Sequence, residues 1–123
     1  MPLTSAKITI GIALLSASLL QSVFSSAPET IAQALKRHNV EISKGSLLEA
    51  LHNSDKEVRG LAAAELYELK ITGALPDIVR AAEAELDPLT QVNIASAATW
   101  MGSEEGLYIL KIVCDNSAIP PYV

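Results

Sequence analysis

The chain has 123 residues, half of them hydrophobic and 4% aromatic, and nine basic against 14 acidic side chains give it a formal net charge of −5. That length bounds it to one domain, and its scattered, outnumbered Lys and Arg exclude nucleic acid, whose binders need clustered phosphate contacts. So few aromatics suit close-packed helices better than strands, and a single cysteine, Cys114, leaves no internal disulfide to hold the fold.

The N-terminus reads as a targeting segment. Lys7 supplies a positive flank, Ile8 to Leu20 is apolar and uncharged, and Val23-Phe24-Ser25 offers short residues where a signal peptidase reads. Residues 1–25 are therefore expected to be a secretory signal peptide cleaved before Ser26, making the protein secreted or periplasmic. The competing expectation is an uncleaved membrane anchor over Ile8 to Phe24, which is short for a bilayer span. No Cys follows the apolar run, so lipoprotein modification is not indicated.

Residues 26–45 read as one helix and a linker. Pro28 and Glu29 open the helix, which runs to Arg37 and ends at His38-Asn39. A second helix opens at Ser46, whose spacing to Glu49 is that of a capping box, and carries Leu47, Leu48 and Leu51. Ser54 and Glu57 make the same signal for a third helix. Its apolar positions, Val58, Leu61, Ala62, Leu66 and Leu69, follow a 3.6-residue period, and Thr72-Gly73 stops it. The fourth has Pro76 in its first turn and presents Leu75, Ile78, Val79, Ala82 and Leu86. Asp87 caps the fifth and Pro88 opens it; it runs to Met101 and stops at Gly102. Ser103 caps a sixth with the stripe Leu107, Leu110 and Cys114, and Glu104 and Glu105 sit at its positive end. Short loops make consecutive helices antiparallel.

These helices repeat. A step of 32 residues places Arg59 on Gln91, Ala62 on Ile94, Ala63 on Ala95, Leu66 on Ala98, Ile78 on Leu110 and Ala82 on Cys114. The stretch from Asp55 to Leu66, DKEVRGLAAAEL, resembles the second helix of a HEAT repeat: an Asp turn, Val-Arg, two small residues and a Leu. The resemblance covers residues 46–123. It implies an all-α, right-handed α-α superhelix of antiparallel hairpins, of the armadillo-like kind. It also implies that Arg59 reaches an acidic or carbonyl group of a neighbouring repeat, and that the second helices line a concave partner-binding surface. Gln91 departs from the pattern and should lose that ion pair. By the same step Tyr122 and Val123 fall in the first turn of a further second helix, so the last repeat is expected to be incomplete. Leu107, Leu110 and Val113 should then be partly uncovered. Either the chain is a shortened product of a longer repeat protein, or this open end pairs with another molecule, including a second copy.

No motif carries catalysis. His38 and His52 stand at helix ends, where imidazoles meet terminal carbonyls. Neither belongs to a spaced ligand set, so no metal or cofactor is expected. The His-Glu motifs of the metal-dependent HEAT-repeat hydroxylases have no match. Cys114 is expected in the core, and Glu83, Glu85 and Asp87, like Glu104 and Glu105, on solvated faces. Trp100, set by the repeat on Glu68, is expected to anchor a partner beside Arg59 and Gln91, or else to cover Met101. The expected function is a non-enzymatic, exported scaffold or adaptor that binds a protein. The alternatives are an accessory part of a larger secreted repeat protein or enzyme, or a lyase-type protein like the HEAT-like proteins that attach bilins.

Overall fold

The computed structural model describes residues 27–116. Within them six helices follow one another: α1 (Ile31–Arg37), α2 (Lys44–Ala50), α3 (Lys56–Glu68), α4 (Leu75–Ala84), α5 (Pro88–Trp100) and α6 (Glu104–Asn116). A 3-10 turn, Thr72–Ala74, leads into α4. No strand occurs among the described residues. The expected signal peptide and anchor, and the continuation to Tyr122 and Val123, lie outside them.

Every described helix except α4, which continues from the 3-10 turn without a side-chain cap, starts where a side-chain oxygen takes up a backbone N–H that the helix itself leaves unpaired. Asp87 and Ser103 do this where expected: Asp87 accepts from the Thr90 N–H at 3.0 Å and Ser103 from the Gly106 N–H at 3.0 Å. Three starts differ from expectation. α1 begins after Thr30, which forms a reciprocal capping box with Gln33. α2 begins ahead of Ser46, because the Ser43 hydroxyl accepts the Ser46 N–H at 3.2 Å. α3 is capped by Asp55 rather than Ser54, with the Glu57 N–H donating to Oδ1 at 2.9 Å.

Three helix ends, those of α1, α3 and α5, share one device. Asn39, Lys70 and Gly102 have φ of 63°, 56° and 98°, and each is followed by an N–H that reaches back five residues. Val40 donates to the Leu35 carbonyl, Ile71 to Leu66 and Ser103 to Ala98. This is the Schellman closure, which satisfies carbonyls at a helix end. Gly102 was expected there. For α3 the expected stop at Thr72-Gly73 is wrong: the left-handed residue is Lys70, and Ile71 turns in to pack against the core.

The second helices α3 and α5 pack on each other, α4 lies against α5 and α6, and α1 covers part of α3. Small residues at the buried positions, Gly60, Ala62 and Ala63 on α3 and Ala95, Ala97 and Ala98 on α5, allow close approach of the helices. Leu35, Leu47, Leu51, Val58, Leu66, Ile78 and Ile94 fill the core between them. α6 meets α5 at Gly106. A Cβ there would lie 2.9 Å from the Thr99 N and Oγ1 and 3.0 Å from the Ala95 carbonyl oxygen.

That contact sets the rotation of α6 and corrects its expected stripe. Gly106 and Ile109 are buried, with Leu110 and Val113 packed partly against them, while Leu107 and Cys114 are exposed. Leu69 is likewise exposed rather than core. At the end of α4 the register also breaks: the helix stops at Ala84, so Leu86 swings out to 94% exposure and Glu85 turns inward.

Candidate partner-binding surface

The inward turn of Glu85 is explained by Arg59. The Arg59 guanidinium donates from Nε to Glu85 Oε2 at 2.6 Å and from Nη2 to Oε1 at 2.8 Å. Its Nη1 donates to the carbonyls of Asn53 at 2.8 Å and Ser54 at 3.2 Å. One side chain thus ties the α2–α3 loop to the α4–α5 loop through a paired fork on a carboxylate. The Arg59 and Glu85 side chains are 21% and 3% exposed. Hydrogen bonding from Arg59 lowers the Glu85 carboxyl below its ordinary value against the opposing effect of burial, and the Asp87 N–H adds to the lowering. The same bond raises the guanidinium.

Gln91, the repeat counterpart of Arg59, also reaches back, but to a carbonyl alone. Its Nε2 donates to the Ala82 oxygen at 2.9 Å in the last turn of α4. Among the described residues no carboxylate accepts from it.

Trp100 lies elsewhere. The residue is 65% exposed, and its ring meets Tyr67 at 5.4 Å between centroids, tilted by 46°. It ends a groove of about 470 Å³ running between α3 and α5. Gly60, Ala64 and Ser96 keep the groove open, Leu61 and Leu89 add apolar wall, and Lys56 and Asp87 close the far end at 3.2 Å from each other. Asp87 is held below its ordinary value, first by the Thr90 N–H, then by the Thr90 hydroxyl and Lys56.

Arg59, Gln91 and Trp100 therefore do not share one surface. Arg59 borders a hollow with Leu51, His52 and Leu86. Gln91 borders a third groove, about 690 Å³, with Pro88, Tyr108, Ile109, Ile112 and Val113. Of the expected open-end residues, only Val113 lines that groove. Leu107 is exposed beside it in sequence, and Leu110 is partly buried. Tyr108 and Ile112, which the stripe reading passed over, are exposed there. The rotation of α6 was not legible from its own periodicity, since apolar residues occur on both flanks.

Glu65 is the other buried acid. Burial, then Glu68, pushes its carboxyl above the ordinary range. One grouping was missed altogether: His38 comes together with Asp55 and Glu57 across the α1–α3 contact. No sequence spacing signals it, because the residues belong to different helices.

No curated protein and no solved structure matches the chain. The family described as HEAT repeats does match, over residues 45–120, which is more than half of the sequence. That span takes in α2, from its second residue, through α6, and it leaves α1 outside. The chain belongs to the HEAT-repeat family.

Proposed function

We propose that this chain is a non-enzymatic interaction module that holds a protein segment in the α3–α5 groove, with Trp100 as its anchor. The observation that carries this reading is the exposed indole at the end of an apolar, small-residue groove. Trp is the residue type most enriched among interface residues that dominate binding. Lys56 and Asp87 at the end of the groove are already engaged in structure, with each other and, for Asp87, with the α5 start. A groove so furnished favours holding over chemistry.

The reading includes export from the cytoplasm, supported by the signal-like residues 1–25. No described helix is long and apolar enough to cross a membrane. N-terminal sequencing of protein recovered from the extracytoplasmic fraction should begin at Ser26; a cytoplasmic product retaining Met1 would refute export.

Binding is tested by affinity capture from the extracytoplasmic extract, followed by identification of the captured protein. Trp100→Ala should reduce its capture roughly tenfold or more at a stability cost no larger than its Tyr67 ring contact, about 1 kcal/mol. Leu86→Ala, exposed on a different face, should retain it. Capture that survives Trp100→Ala would sink the proposal. A second reading has its own observation, the α6 groove with exposed Tyr108 and Ile112. Self-association through that face predicts a dimer by light scattering that Ile112→Glu converts to monomer.

A further inference from the structure

The His38 grouping has the features of a coordination site. His38 caps the end of α1, and Asp55 and Glu57 stand at the start of α3. His38 Nδ1 lies 3.8 Å from Asp55 Oδ2, and His38 Nε2 lies 3.6 Å from Glu57 Oε2. Both separations exceed a hydrogen bond. One donor atom from each of the three residues lies within 4.8 Å of the others. Donors around one tetrahedral zinc ion at about 2.0–2.2 Å stand roughly 3.4 Å apart; an imidazole gives one ion a single nitrogen, so binding requires the ring or one carboxylate to turn until both carboxylates meet the ion held by that nitrogen.

Two further observations point to a ligand. His38 Nε2 is sealed from solvent and has no hydrogen-bond partner, an unusual state for a buried ring nitrogen. Each carboxylate, moreover, spends one oxygen on being held and directs the other at the imidazole. Asp55 Oδ1 accepts the Glu57 N–H at 2.9 Å, leaving Oδ2 towards His38. Glu57 Oε1 faces Arg37 at 3.7 Å, leaving Oε2 towards His38. Metal-binding carboxylates are commonly oriented by such outer partners.

The local charge also favours a cation. Arg37 faces the site and is shared with Glu29 at 3.1 Å; Arg59 also acts on Asp55, but its fork is taken by Glu85. Lys56 turns away to Asp87. Glu29, Asp55 and Glu57 therefore outnumber Arg37. One imidazole with two carboxylates suits zinc(II), whereas calcium and magnesium prefer all-oxygen sets.

We propose that His38, Asp55 and Glu57 form a zinc(II) site that staples α1, the helix outside the family match, to the first repeat. The open positions belong to water, since Asp55 and Glu57 are about half exposed.

The test is calorimetric titration of the full, chelator-treated chain with zinc chloride near pH 7.5. One equivalent should bind, and the melting temperature should rise with zinc but not with calcium or magnesium. His38→Gln and Glu57→Gln should each weaken binding roughly tenfold or more. Asp55→Asn should do the same while keeping the α3 cap, because Asn caps as well as Asp. It therefore tests the site even if His38→Gln folds poorly. His52→Gln should bind as wild type. Absence of saturable binding up to about 1 mM zinc, equal affinity in Asp55→Asn, or loss of binding in His52→Gln would each overturn the site.

Discussion

Replacing Arg59 by Met removes the guanidinium and keeps an apolar stem of similar length. Glu85 would be left as a carboxylate with a side chain 3% exposed, still accepting the Asp87 N–H at 3.2 Å but nothing cationic. The Asn53 and Ser54 carbonyls would lose their donor as well. Removing one partner of a buried ion pair costs about 3–5 kcal/mol, mostly because the other charge stays desolvated. At roughly 4–8 °C per kcal/mol for a domain this size, the lower bound alone lowers the melting temperature by roughly 12–24 °C. The loss should depend on pH. In the wild type the Glu85 carboxyl is lowered by Arg59, so its contribution is present above the ordinary carboxylate pKa and is lost as pH falls through the lowered value. In Arg59→Met burial outweighs the remaining Asp87 N–H and raises that carboxyl. The variant's penalty is then relieved by protonation, and the gap between the two proteins narrows in acid. Urea melts at neutral pH and near pH 4 measure both effects. Arg59→Met/Glu85→Leu should recover much of the loss, because removing both partners leaves no orphan charge. A neutral-pH loss below about 1 kcal/mol, or one that does not change with pH, would refute the clamp.

Two glycines should respond in opposite directions. Gly106→Ala drives a methyl group into the Thr99 and Ala95 backbone and should cost about 1–2 kcal/mol by chemical denaturation, the overpacking exceeding the gain in helix propensity. Gly60→Ala meets nothing closer than 3.8 Å and should gain about 0.5–1 kcal/mol; a loss there would mean that α3 and α5 sit closer than described. Lys70 holds a left-handed conformation that disfavours a side chain. Lys70→Gly should stabilise by about 0.5 kcal/mol in the same assay, after its extra unfolded-state freedom is deducted, and a destabilised variant would argue against a left-handed Lys70. The Glu65 carboxyl is raised by burial, so it contributes stability at low pH that is lost as pH rises through its folded pKa. Glu65→Gln should accordingly be more stable than wild type at neutral pH, with the difference shrinking towards pH 4; the opposite trend in thermal melts would refute a desolvated Glu65.

Much of the α5 reading held because its signals are local. Asp87, Pro88 and Gly102 act within one turn of the helix boundary, and each acts where expected. Where two local signals competed, tertiary packing chose. Both Ser43 and Ser46 are able to cap α2; the outer one does, and the helix it starts buries Leu47 and Ala50. Gly73 looked like the stop for α3, yet Lys70 takes the left-handed turn so that Ile71 packs against the core. Cys114 was placed inside by its repeat partner Ala82, but α6 has no further described helix beyond it and leaves that flank exposed.

The sequence by itself determined the helices and the HEAT repeat, since periodicity, caps and a 32-residue step are properties of neighbouring residues. Only the tertiary structure decided which surfaces exist. It carried Glu85 out of an acidic run and under Arg59, 26 residues away. It set Arg59, Gln91 and Trp100 on three different hollows, and it rotated α6 through the close contact at Gly106. It also brought His38 to Asp55 and Glu57. The physical reason is common to all four: side-chain direction depends on how whole helices approach, and that is settled by packing between segments far apart in the chain.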